Sequence, residues 1–180
     1  MTTATGAAFS PTTLPSRAAG VVAGRVTIIG DSVTLDAKPS LLAEIRGAVV
    51  HAKLDEQWSQ GIGYARQRRD DDRLGAVVVI ALGTNGPIAA SDVGRMLHVL
   101  SPCSRVVLVT NHVPLWWQNP NNRLLRAAAA AHRDAVLADW AALAAAHPGW
   151  FYADGVHMPI GGTGAHAFAR LIASKVSARR

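Results

Sequence analysis

A three-layer α/β/α sandwich built on a five-stranded parallel sheet is the fold class this sequence predicts. Three observations carry it. β-branched runs and helical-period segments alternate from about residue 24 onward. Ala76–Leu82, AVVVIAL, is apolar throughout, as a strand is when helices cover both faces of its sheet. No two strand candidates are joined by a hairpin turn, so successive strands require crossovers and lie parallel.

Taken in order, Arg25–Gly30 is a short β-branched run closing on glycine, a buried strand. Leu41, Leu42 and Ile45 fall on one face at helical spacing, which predicts a helix over about 38–46. Ala48–His51 is the second strand, and Gln57–Asp72 a helix interrupted by Gly61 and Gly63. After the Ala76–Leu82 strand, Ser91 is an N-cap candidate ahead of Val93, Met96 and Leu97. Arg105–Thr110 reads as the fourth strand and Asn111–Asn122 as loop. The alanine-rich stretch from Arg123 to Ala146 reads as the longest helix, stopped by His147-Pro148-Gly149. Trp150–Tyr152 is the fifth strand candidate, and the last helix carries Phe168, Leu171, Ile172 and Val176 on one face.

Length and composition fit one domain. The chain has 180 residues, 49% hydrophobic and 17% charged. A domain of that size buries roughly 70% of its unfolded surface and needs no staple. Cys103 is the single cysteine, so an internal disulfide and a cysteine-built zinc site are excluded. No apolar run approaches the roughly 20 residues that span a bilayer. Residues 1–22, rich in Thr, Ala, Pro and Ser, read as a flexible linker or a cloning remnant rather than a signal peptide, ahead of a catalytic domain over 23–180. Net charge is +6, and fifteen of the eighteen basic residues are Arg. The densest basic cluster, Arg66 to Arg73, is offset by Asp70, Asp71 and Asp72, so no nucleic-acid partner is expected.

In such a sheet, ligands bind beyond the carboxyl ends of the strands. Gly30-Asp31-Ser32 follows the first strand, Gly83-Thr84-Asn85 the third, and Asp154-Gly155-Val156-His157 the last predicted one. Each tripeptide or tetrapeptide alone is a common turn. Together, in this order and at these positions, they supply a serine nucleophile, an imidazole base, a carboxylate to orient that base, and an amide donor for an oxyanion. Ser32, His157, Asp154 and Asn85 take those roles in turn, with the Ser32 backbone N–H as a second oxyanion donor at a helix N-terminus. Asp31 shapes the turn. Trp116 and Trp117, in the loop after the fourth strand, are candidates for stacking on a sugar ring, with packing as the alternative. His51, His98, His112, His132, His147 and His166 show no metal-ligand spacing. No metal and no cofactor are expected.

Those motifs resemble three conserved blocks of the SGNH, or GDSL-like, hydrolase family, whose fold is flavodoxin-like. The longer strings Ile29–Thr34, Val79–Gly86, Val107–Asn111 and Asp154–His157 are closer to one branch. That branch is the extracytoplasmic SGNH domain of acyltransferase-3 proteins, which include the peptidoglycan O-acetyltransferases. The resemblance covers about residues 25–178. It implies O-acyl transfer, acetyl above all, to or from a cell-wall or surface carbohydrate through an acyl-serine. It further implies an acyl donor and a carbohydrate acceptor as partners, an extracytoplasmic location, and tethering by a membrane acyltransferase-3 domain. A stand-alone esterase and a non-catalytic glycan-binding domain are the alternatives. One departure stands out. The family's second block supplies a glycine N–H to the oxyanion hole, whereas His51–Gln57 holds Asp55 and Glu56 and no glycine. Gly61 and Gly63 come later in the chain, as helix breaks or as alternative contributors to the hole.

Overall fold

The computed structural model describes residues 21–177. The expected linker lies, up to residue 20, outside the described residues. Five strands form one parallel sheet in the order β2-β1-β3-β4-β5. They are β1 (Val21–Gly30), β2 (Val49–Ala52), β3 (Leu74–Ala81), β4 (Arg105–Val109) and β5 (Ala135–Ala138). The helices are α1 (Ser32–Glu44), α2 (Trp58–Asp70), α3 (Ala90–Val99), α4 (Gln118–Ala131), α5 (Trp140–Ala145) and α6 (Thr163–Ser177). This is the three-layer α/β/α arrangement expected from the alternation.

The alternation of side chains along each strand divides the core in two. Ile28, Val79, Ala81, Val107 and Val109 point to one face, where Val33, Ala37 and Leu41 of α1, Trp140 of α5, and Phe168 and Ile172 of α6 cover them. Ile29, Val78, Ile80, Val106 and Leu108 point to the other, under Trp58 and Ile62 of α2, Val93 and Met96 of α3, and Leu125 of α4. Strand order reverses between β1 and β3. That is the switch point at which the loops leaving two adjacent strands diverge and open a crevice.

Four expectations are corrected. The stretch from Arg123 to Ala146 is not one helix: α4 ends at Ala131, His132–Asp134 turn the chain, and Ala135-Val-Leu-Ala138 pairs with β4 as the fifth strand. Alanine favours helix and hid the short strand, but an edge position beside β4 and burial under α4 override propensity there. Trp150–Tyr152 is consequently no strand; Pro148–Trp150 forms a single 3-10 turn, and Trp150 and Phe151 pack around Trp140. The first helix also starts earlier than expected. α1 begins at Ser32, capped by the Asp31 carboxylate, and leaves Leu42 outward at 43% exposure. Finally, the segment read as loop up to Asn122 enters α4 at Gln118. Asn121 and Asn122 are buried there because their side chains bond to loops rather than to water.

Candidate active site

The crevice at the switch point is built from the ends of β1 and β3 and from the loop before α6. Ser32 is the first residue of α1, directly beyond β1, and is 5% exposed. Its neighbour Asp31 is held between two elements. Oδ1 accepts from Val33 N at 3.2 Å, which caps α1, and Oδ2 accepts from Thr84 N at 3.3 Å, which ties the cap to the loop after β3. Burial pushes the Asp31 carboxyl up to about 6, against the pull of the Thr84 hydroxyl and of backbone N–H donors.

His157 reaches this point from 125 residues away. Its Nε2 lies 2.9 Å from Ser32 Oγ, and its Nδ1 lies 2.8 Å from Asp154 Oδ2. Asp154 Oδ1 also accepts from Val156 N at 2.9 Å and His157 N at 3.0 Å, so the two-residue spacing folds carboxylate and imidazole into one turn. The Val156 N–H contributes most to holding Asp154 below the usual carboxylate range, partial burial opposes it, and the His157 ring adds to the lowering. An ionised Asp154 on Nδ1 fixes the tautomer in which Nε2 faces Ser32 as an acceptor.

The loop after β3 brings Asn85 to the same crevice. Its side-chain Nδ2 is buried and has no protein partner, a rare condition for an amide donor. The loop around it is pinned from four sides. Gln57 Nε2 donates to Asn85 O, and Trp117 Nε1 donates to Thr84 O at 3.2 Å. Asn121 Nδ2 donates to Gly83 O and Gly86 O at 3.0 and 2.9 Å, while its Oδ1 accepts from Ile88 N. Gly83 is required: its φ is +118°, and a Cβ there would sit 2.5 Å from Asn111 Oδ1.

The two tryptophans separate. Trp117 is half-buried and spends its indole N–H on the Asn85 loop, whereas Trp116 is 71% exposed and packs edge-on against Trp117. In the second block, Glu56 is buried and turns onto His51, 3.2 Å away, so its carboxylate leaves the crevice. Asp55 has φ +55°, the left-handed backbone that ordinarily selects glycine. The substitutes fail: Gly61 N donates to Gln57 O inside α2, and a Cβ on Gly61 would meet Leu82 at 2.5 Å, so its role is packing; Gly63 also lies within α2.

Sequence reasoning missed Asp36, Gln57, Asn121 and Asn122. Asn121 and Asn122 fell in a stretch read as loop, Gln57 at a helix start and Asp36 ahead of the predicted helix, so none carried a signal in the sequence. His51 stacks on Tyr64, His112 on Phe151 and His147 on Trp150, and burial pushes the Cys103 thiol up to about 12. Among the described residues, no group of three or more His, Cys, Asp or Glu is placed to hold a metal ion.

No protein-family model matches the chain. It is 35% identical over 136 residues to YrhL of Bacillus subtilis, whose name assigns it provisionally to peptidoglycan O-acetylation; the match takes in 76% of this chain and 21% of that protein. It is 30% identical over 137 residues to the O-acetyltransferase OatA of Staphylococcus aureus, covering 76% of this chain and 23% of the relative. The chain thus spans about a fifth of the length of the curated relatives it matches. Among solved structures, the C-terminal catalytic domain of Streptococcus pneumoniae peptidoglycan O-acetyltransferase A, with a methylsulfonyl adduct, superposes with a TM-score of 0.73. Its identity is 25%, covering 86% of this chain and 93% of that one. A GDSL-like lipase of Bacteroides thetaiotaomicron superposes with a TM-score of 0.61 at 16% identity, covering 84% and 87%, a likeness of fold. By motif, fold and relatives together, the chain is homologous to part of the peptidoglycan O-acetyltransferases, and it shares its fold with the catalytic domain of one of them and with GDSL-like SGNH hydrolases.

Proposed function

We propose that residues 23–180 form an acyl-transferring domain in which Ser32 is the nucleophile, His157 the general base, Asp154 its orienting acid, and Asn85 with the Ser32 N–H the oxyanion donors. The observation that carries this is the continuous line Ser32 Oγ, His157 Nε2, His157 Nδ1, Asp154 Oδ2, with steps of 2.9 and 2.8 Å; the buried, unpartnered Nδ2 of Asn85 supports the oxyanion role. In the first half-reaction His157 Nε2 takes the Ser32 proton as Oγ attacks the carbonyl of an acyl donor. The tetrahedral oxyanion is stabilised by the amide donors. Its collapse breaks the bond to the leaving group, which receives the proton from His157, and leaves acyl-Ser32. In the second, a hydroxyl gives its proton to His157 and attacks the acyl-serine, forming the new ester and restoring Ser32.

The names of the relatives support an acetyl group, and a cell-wall or surface carbohydrate as the partner that gives or receives it. The exposure of Trp116 supports a role in stacking on a sugar face; Trp117 packs edge-on against it and donates to the Thr84 carbonyl. The short span relative to those proteins supports a membrane acyltransferase-3 domain elsewhere in the full-length protein, with this domain tethered outside the cytoplasm. No helix among the described residues is long and apolar enough to cross a membrane. A second reading, a stand-alone esterase in which water resolves acyl-Ser32, is favoured by the fold shared with GDSL-like lipases.

The test is kinetic. Ser32→Ala is expected to lower turnover of an activated acetyl ester by several orders of magnitude with little change in KM. Decay of the acyl-enzyme that accelerates with an added glycan supports transfer; decay indifferent to glycan supports hydrolysis. Turnover that survives Ser32→Ala overturns both.

A further inference from the structure

We propose that Asp36 is a positioning residue for the imidazole: it fixes the loop that carries His157 to the helix that carries Ser32. Asp36 lies one helical turn beyond Ser32 on α1, on nearly the same face, because residues four apart stack along a helix. Its Oδ2 accepts from Met158 N at 3.0 Å, across 122 residues of chain. The link is to the peptide joining His157 and Met158. The carbonyl of that same peptide, His157 O, accepts from Tyr152 N at 2.9 Å, and His157 N of the preceding peptide donates to Asp154 Oδ1, both within the loop. Those bonds shape the loop internally. They do not tell it where Ser32 is.

Asp36 supplies that reference. Between Phe151 and Gly162 the chain is neither strand nor helix, so no ladder sets its distance from α1. The Met158 side chain, 1% exposed, is buried in the core shared with Val33, Ala37 and Phe168, which anchors depth, while the Asp36 carboxylate anchors direction. A carboxylate suits the task because it is an acceptor only, and its bond to a backbone N–H is charge-assisted. With nucleophile and clamp on one rigid helix, a movement of α1 carries the imidazole with it, and the Ser32–His157 distance is conserved. Loss of the clamp lets the loop drift by the fraction of an ångström to which proton transfer is sensitive.

The assignment rests on the Ser32–His157–Asp154 reading and is tested by a measurement that separates the two. The 180-residue chain is treated with methanesulfonyl fluoride; the second-order rate of sulfonylation and its site are followed by mass spectrometry, alongside kcat and KM for an activated acetyl ester. Asp36→Ala is expected to slow sulfonylation and lower kcat by about 10–100-fold, with KM within about threefold, as misplacement of a catalytic group does. Asp36→Asn, which keeps an acceptor oxygen, is expected within about threefold of wild type. Equal rates in Asp36→Ala and wild type, or an Asp36→Asn variant as slow as Asp36→Ala, overturn the clamp. Should Asp36→Ala not fold, Asp36→Glu carries the test. Its longer side chain displaces the Met158 N–H, a loss of about tenfold or more in a folded protein supports the assignment, and a rate within about threefold overturns it. Failure of the wild-type protein to be sulfonylated at Ser32 is a different result, and it overturns the triad reading itself.

Discussion

Asn85 concentrates the residue-scale argument. On the proposed reading, the buried Nδ2 of Asn85, which has no protein partner, is an oxyanion donor with no bond to break before it acts. Asn85→Ala is therefore expected to lower kcat about 10²–10³-fold while KM changes little, read by steady-state kinetics on an activated ester. Asp31 presents the opposite case, a buried carboxyl already fully engaged. Its carboxyl rises in the folded protein from the ordinary 3.8 to about 6. The folded chain then holds a proton that the unfolded chain has released. The contribution of Asp31 to stability is greatest below about pH 4, falls as pH rises toward 6, and is flat above. The loss is roughly 3 kcal/mol, and denaturant titrations from pH 4 to 7 on the protein and on Asp31→Asn should differ in slope over that window. Asp154 has the other sign. Held low by its N–H donors, it stays ionised beside His157 through neutral pH and loses its stabilising contribution only as the medium becomes strongly acidic.

At the scale of elements, the site depends on polar residues that brace loops from inside helices. Asn121 on α4 is fully buried and serves Gly83, Gly86 and Ile88 at once. Asn121→Leu leaves those backbone groups unpaired. It is expected to lower stability by about 3 kcal/mol or more, measured by urea unfolding, and to lower kcat further because the Asn85 loop loses its floor. The same residues explain what the sequence conveyed and what it concealed. Two of the three motif segments were legible because each ends a β-branched strand, where periodicity and glycine coincide: Ile29-Gly30 and Leu82-Gly83 stand where they were expected. β5 was illegible because Ala135-Val-Leu-Ala138 lies in a field of alanines whose local preference is helical, and only pairing with β4 makes it a strand. Asp154 and His157 were found for their chemistry, although the strand thought to deliver them does not exist; an irregular loop after the Pro148–Trp150 turn delivers them instead. Asp36 was invisible because a polar residue on a helix reads as surface until its partner, 122 residues away, is known.

Across the whole molecule, two layers of helices do different work around one sheet. The layer of α1, α5 and α6 holds Ser32, and α6 follows the His157 loop; the layer of α2, α3 and α4 braces the Asn85 loop from Gln57 and Asn121. The crevice between them leaves Trp116 exposed at its rim. Trp116→Ala is expected to raise KM for a glycan acceptor by up to about tenfold while turnover of a small activated ester is unchanged, a split that isolates substrate stacking from chemistry. Underneath each of these expectations is an acyl group carried on Ser32. Brief exposure of the protein to an activated acetyl ester, acid quench, and peptide mass mapping tests that most directly. The account predicts one acetyl group on the peptide containing Ser32, lost on longer incubation and not formed in His157→Ala; acetyl on any other residue, or equal labelling of Ser32 without His157, would contradict it.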